Sequence, residues 1–191
     1  MGRRTLYLIR HAQYFEASPG PGRSAGGLTP EGAAQARRTA ARMKRIPFHV
    51  IHCSTLRRAM ETMEIIHRVR SRARIRKAHM LRESIPCVPR RSPELFRGIR
   101  AAAIARDRSR AERVFRRYFK TSRGGDRYEL VVTHGNLIRY LICRVLGVSP
   151  RVWLNMRIHN CGVSVVVVKE DGNLVLASYN DTGHLPARLL T

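Results

Sequence analysis

The chain has 191 residues, 43% of them hydrophobic, enough for one compact domain with a sizeable core. No apolar run reaches the roughly 18 residues of a membrane-spanning helix, and Met1-Gly2-Arg3-Arg4 leads straight into Leu6-Tyr7-Leu8-Ile9, too short a run for a secretory signal core. Charge is the unusual quantity: 37 Lys and Arg stand against 13 Asp and Glu, a formal net charge of +24. The basic residues run along the whole chain and only Lys44, Lys77, Lys120 and Lys169 are lysines. They read first as a solvated surface with non-specific polyanion affinity, and second as a field that steers acidic, phosphorylated substrates. Cys53, Cys87, Cys143 and Cys161 contain no C-x-x-C pair, which reads as free buried thiols rather than a zinc or redox motif.

In chain order, Thr5 to Ile9 is apolar, β-branched and free of breakers, a buried strand. Residues 16–27 are rich in Gly, Pro, Ser and Ala and form a loop. Thr29-Pro30-Glu31-Gly32 opens a helix: a hydroxyl cap, a proline suited to the first turn and an acid at the positive end. That helix runs to about Lys44, and Pro47 closes it. Phe48 to Cys53 is a second strand, and Ser54 is expected to cap a helix running to about Arg70. Arg74 to Ala78 is a short strand; residues 84–93 are irregular; residues 94–120 hold one or two helices, broken by Gly124-Gly125. Tyr128 to Thr133 is a strand ending at His134, and Asn136 to Leu146 is a helix with Asn136 as its cap and Gly147 as its stop. Val163 to Lys169 and Leu174 to Tyr179 flank Asp171-Gly172-Asn173, a hairpin signal. Alternating strands and helices predict a single α/β domain over residues 1–191, a three-layer α/β/α sandwich with a mostly parallel sheet.

In such sheets ligands sit beyond the carboxyl ends of the strands. Two predicted strands end in Arg10-His11 and His134-Gly135-Asn136, and a third delivers Ser54 and Arg57-Arg58. Arg-His-Ala alone is a weak signal. Its company is specific: Leu6 to Ala12, Leu28 to Gly32, Cys53 to Ala59, Leu81-Arg82-Glu83 and Val132-Thr133-His134-Gly135 occur in this order. With these motifs the chain resembles the histidine phosphatase superfamily, the phosphoglycerate-mutase-like fold, from residue 4 to 186. Within it, Ile9 to Tyr14, Leu81-Arg82-Glu83, His134 to Tyr140, Trp153-Leu154 and Asp181-Thr182-Gly183 look like the mitochondrial phosphoglycerate-mutase-like serine/threonine protein phosphatases. Gln13 stands where many mutases carry Glu, and Ala12 replaces the family's usual glycine.

The resemblance implies phosphomonoester hydrolysis through phosphohistidine. His11 would be the nucleophile, neutral beside arginines that disfavour its protonation. Arg10 and Arg58 would clamp phosphate oxygens, with Arg57 outside. His134 would donate to the transferring group, and Glu83 would be the general acid and then the base. Asn136 is carried as a substrate-binding candidate beside its capping role, and His159 and Asn160 as site-shaping ones. Glu83 paired with Arg82 is the competing structural reading. No cofactor is implied and no cluster has metal-ligand spacing, the arginine clamp taking over a metal's electrostatic task. The expected partner is a phosphorylated protein. The alternatives are a small phosphate ester, a phosphoglycerate mutase reaction, and a polyanion-binding module. The default compartment is cytoplasmic, with a mitochondrial one by analogy.

Overall fold

The structure, a computed structural model, describes residues 1–16, 26–69 and 72–191. Most of the loop predicted over 16–27 and the end of the second helix at Arg70 lie outside the described residues. Six strands form one mixed sheet: β1 (Arg4–Arg10), β2 (Val50–Ser54), β3 (Arg74–Ala78), β4 (Arg127–Thr133), β5 (Val163–Val168) and β6 (Leu174–Asp181). Their order is β3-β2-β4-β1-β5-β6. The first four lie parallel, whereas β5 runs antiparallel to β1 and β6 antiparallel to β5. β1 to β4, joined in turn through helices, thus make the parallel part, and the predicted hairpin β5–β6, also reached through a helix, adds an antiparallel edge.

Strand alternation divides the core into two layers. Leu6, Leu8 and Val131 face one side and pack with α3 (Ala101–Tyr118) and α4 (Gly135–Val145). Ile9, Leu130 and Val132 face the other and pack with α1 (Pro30–Met43) and α2 (Arg57–Arg68). A parallel sheet covered on both faces requires strands apolar throughout; all five residues of β2 are buried. The four cysteines are free and buried, Cys87 and Cys143 in the first layer, Cys53 in the second and Cys161 in a smaller separate cluster.

Helix boundaries follow their local chemistry. Thr29 Oγ1 accepts from the Gly32 amide at 2.9 Å, and Pro30 and Glu31 occupy the first turn of α1. Gly147, at φ +67°, follows α4 in the left-handed conformation that suits glycine. Residues 93–120 divide into a short 3-10 turn (Pro93–Phe96) and α3, separated at Gly98 with φ +84°. α3 ends at Tyr118, ahead of Gly124-Gly125. Two expected caps are corrected. Ser54 does not cap α2, whose cap position is Leu56 without a side-chain bond. Asn136 lies inside α4, and His134 holds the cap position.

Gly32 is required for a close approach. A Cβ there would lie 1.9 Å from the Gln13 carbonyl oxygen. Gly32→Ala must displace the chain just after His11, an overpacking cost of about 1–3 kcal/mol. For a domain of this size each kcal/mol is worth roughly 2–4 °C. A fall of several degrees in the thermal midpoint is therefore expected by circular dichroism. An unchanged midpoint would mean that the Gln13 segment yields freely.

Candidate active site

His11 lies just past the end of β1, and its amide continues the ladder to β4 by donating to the Thr133 carbonyl at 2.9 Å. The carbonyl of His11 accepts from Asn160 Nδ2 at 2.7 Å. The next residue, Ala12, donates its amide to Thr62 Oγ1 of α2 at 3.0 Å and is itself fully buried. Gln13 donates its amide to Gln35 Oε1 and accepts from the Thr29 hydroxyl, both at 2.8 Å. The backbone around His11 is therefore held by α1, α2, β4 and the segment before β5.

The imidazole is held in one tautomer. Its Nδ1 lies 2.8 Å from the Ala12 carbonyl oxygen, which accepts only, so Nδ1 carries the proton and Nε2 keeps the lone pair. Arg58 Nε donates to that Nε2 at 3.0 Å. Burial, then Arg58 and Arg10, push the His11 pKa down to about 3, so the ring is neutral at physiological pH. Desolvation outweighs the arginine repulsion expected from sequence.

His134 stands with its ring centroid 5.0 Å from that of His11. Its Nε2 bonds Ser54 Oγ at 2.7 Å, and its Nδ1 is buried without a partner among the described residues. Burial, then His11 and Arg58, lower its pKa too. Ser54 therefore orients His134, a role that its position before α2 concealed. Tyr14 is a second residue that the sequence reading did not place in the site. Its ring meets His11 edge-on at 5.2 Å, and the Arg58 guanidinium lies 4.6 Å above it.

Of the Arg57-Arg58 pair, Arg58 is buried at the site, whereas Arg57 turns outward to pair with Glu61 at 2.7 Å. Arg10 donates through Nη1 to the Ile158 carbonyl at 2.7 Å and lies against Gly135, where a Cβ would meet its Cδ at 3.5 Å. Burial lowers both site guanidinium pKa values from an ordinary value so high that they remain cationic.

Glu83 reaches the same place from a segment that follows a 3-10 turn (His79–Leu81). Thr133 Oγ1 donates to the Leu81 carbonyl at 2.7 Å and ties that segment to β4. Arg110 of α3 donates to the carbonyls of Arg82 and Glu83, each at 2.7 Å, and bonds Asp107 at 2.8 Å. Arg82 bonds Thr55 Oγ1, so the Arg82–Glu83 pair does not form. The Glu83 carboxyl receives the amides of Ser84, Asn136 and Leu137 at the start of α4, yet burial dominates and raises its pKa. Asn136 thus meets Glu83 through its backbone, while its side chain accepts from Arg139 at 3.3 Å. Among the described residues no three His, Cys, Asp or Glu side chains converge as metal ligands.

A neutral imidazole of fixed tautomer, a second histidine, two arginines and a carboxyl of raised pKa meet at the carboxyl ends of β1, β2 and β4. The family model described as histidine phosphatase superfamily (branch 1) matches residues 6–85 and 89–182. The chain belongs to the histidine phosphatase superfamily. Among the superfamily members it is similar to is the Xenopus tropicalis protein named serine/threonine-protein phosphatase PGAM5, mitochondrial, with 33% identity over 189 residues. That match covers 96% of this chain and 66% of the relative, so the chain spans just under two thirds of that relative's length. A Plasmodium falciparum structure titled phosphoglycerate mutase is 28% identical, with a TM-score of 0.67 over 98% of this chain and 96% of the other. Bacillus stearothermophilus YhfR, 21% identical, shares the fold with a TM-score of 0.76 over 96% and 100% of the two chains.

Proposed function

We propose that this chain hydrolyses phosphomonoesters through a phosphohistidine at His11, with phosphoserine or phosphothreonine in proteins as its substrate class. The observation that carries the chemistry is the fixed tautomer: Nδ1 is bonded to the Ala12 carbonyl and Nε2 has its lone pair directed at Arg58. An anionic phosphoryl group draws Arg58 and Arg10 onto its oxygens and frees Nε2 for in-line attack. The P–Nε2 bond forms as the ester P–O bond breaks. The ring gains positive charge, which the Nδ1–H bond to Ala12 stabilises. His134 offers its unpartnered Nδ1 to a phosphoryl oxygen when the Ser54 hydroxyl donates to Nε2. Glu83 delivers its proton to the leaving alkoxide. Water then attacks phosphorus and gives a proton back to Glu83 as the P–Nε2 bond breaks, releasing phosphate.

The protein substrate is favoured by the likeness to relatives named serine/threonine-protein phosphatase PGAM5 and by the basic surface, which attracts acidic phosphoproteins. A small phosphate ester is the second reading, supported by the likeness to the protein titled phosphoglycerate mutase. Brief mixing with a phosphoserine peptide and with p-nitrophenyl phosphate, followed by intact-mass analysis, separates them. An acid-labile adduct on His11 that turns over with both supports the phosphoprotein reading. An adduct with the aryl ester alone moves the substrate to small molecules, and no adduct with either overturns the chemistry. The mitochondrial naming of these relatives favours the mitochondrial alternative over the cytoplasmic default. No helix among the described residues is long and apolar enough to cross a membrane.

Two further results are expected. Glu83→Gln should slow alkyl phosphates about 10²–10⁴-fold, in line with lost general acid catalysis, and aryl phosphates much less, because a phenolate leaves without a proton. The raised pKa of Glu83 keeps its acid form available at higher pH than for an ordinary carboxyl. For alkyl esters under chemistry-limited conditions, kcat should fall as pH rises through that pKa, a limb absent from the Gln variant. Equal losses on both ester classes would remove Glu83 as the acid. Chelation with EDTA should leave hydrolysis unchanged, because arginines supply the charge that a metal would; loss restored by added metal would contradict this.

A further inference from the structure

A groove outside the active site is unassigned by the catalytic reading. Three cavities of about 530, 280 and 550 Å³ adjoin. The first two share Arg4, Lys120 and Arg127, and the last two share Arg76 and Arg117. Together they run from the amino ends of β1 and β4, past the end of α3, to Ala78–Met80. That end lies only three residues before Glu83 in the chain. The groove is open where α3 stops at Tyr118 and leaves the edge strand β3 exposed.

Its walls are cationic and largely unneutralised. Among the described residues Glu129 is the single acid in them; it is buried, bonded to His52 at 3.1 Å and 3.8 Å from Arg4. Among the described residues Arg76, Lys77, Lys120, Arg123 and Arg127 have no ion-pair partner. Ser122 lines the first cavity fully buried, with its hydroxyl unpartnered among the described residues. Such a hydroxyl is costly to leave unbonded and suits an anionic oxygen.

We infer that this groove is an exosite that holds an acidic segment of the phosphoprotein substrate while a distant phosphorylated residue enters the active site. Repeated cations along an extended groove match repeated carboxylates on a flexible chain. A nucleic acid would want aromatic faces for its bases, but Tyr118, the one Phe, Tyr or Trp in the walls, is 4% exposed and packed on His52 at 4.7 Å. The inference deepens the phosphoprotein reading and rests on it.

The test uses the full chain and a fluorescein-labelled, unphosphorylated Glu-rich peptide, followed by anisotropy at near-physiological salt. Arg76→Glu with Arg117→Glu should weaken binding at least about tenfold, as like-charge juxtaposition does at interfaces. Lys77→Ser with Lys120→Ser, milder and exposed, should weaken it about threefold and keeps the test valid if the reversal pair unfolds. A control reversal on α1, Arg37→Glu with Arg38→Glu, should change it little. Equal weakening by groove and control pairs would reduce the effect to diffuse charge and overturn the exosite. An RNA oligonucleotide that binds more tightly than the peptide, with the same sensitivity to the groove variants, would overturn the acidic-peptide assignment. In kinetics, groove reversal should raise KM for a phosphoserine peptide carrying an acidic tract, leaving kcat and p-nitrophenyl phosphate rates unchanged. If a neutral phosphopeptide is turned over equally well, the exosite fails while the phosphoprotein reading stands. If no phosphopeptide is turned over, that reading fails, and the peptide-binding arm still decides whether the groove binds acidic chains.

Discussion

His11→Ala should abolish the acid-labile phosphoryl adduct and lower hydrolysis of p-nitrophenyl phosphate by at least about three orders of magnitude, the scale of losing a covalent nucleophile. The fold should survive, because the backbone bonds to Thr133, Asn160 and Thr62 do not use the imidazole. The variant should also respond differently to acid. In the folded protein His11 has a pKa of about 3, against about 6.5 when unfolded. Between those values the unfolded chain binds a proton that the folded chain refuses, so the wild type loses stability as pH falls through this window. Removing the ring removes that penalty. Thermal midpoints of variant minus wild type should therefore shift upward from pH 7 to pH 4. A constant difference would mean that the folded ring protonates normally, and surviving adduct formation would dismiss His11 as the nucleophile.

Arg58→Ala should lower kcat about 10²–10⁴-fold on aryl and alkyl phosphates alike, because a clamp on transferring oxygens acts whatever the leaving group. This uniform loss separates Arg58 from Glu83. Arg58→Lys should recover little. An ammonium lacks the planar fork and the Nε–H that meets His11 Nε2, and it stacks less well on Tyr14. Steady-state rates on the two ester classes decide the matter. A loss under about tenfold would place Arg58 outside the reaction.

Features coded locally were legible in the sequence. The apolar run before His11, the Thr29-Pro30-Glu31 helix start and the Asp171-Gly172-Asn173 hairpin all appear where expected, because each depends on neighbours in the chain. The ordered motifs identified the strand ends that carry His11 and His134 and the helix start that carries Arg58. What stayed hidden depends on chain-distant partners. Ser54 looked like a helix cap, yet its hydroxyl meets a histidine 80 residues away. Asn136 looked like a cap because Asn is good at it, but the pleat of β4 already places His134 in that position. Arg110 lay in a run of arginines with nothing to single it out, and only the packing of α3 brings it to the Glu83 segment. Tyr14 sat inside a recognised motif, but its ring contacts depend on Arg58, 44 positions further along the chain.

The four free cysteines make the chain its own unfolding clock. All are buried, in three different packing clusters, and burial pushes Cys53 and Cys161 up to about 12 and Cys143 up to about 11. A disulfide reagent needs both access and a thiolate, and the folded state withholds both. Colour release from such a reagent should consequently follow the opening of the structure. Its rates would distinguish a local parting around Cys161, near the C-terminal segment, from loss of the α1–α2 layer at Cys53, with no label introduced.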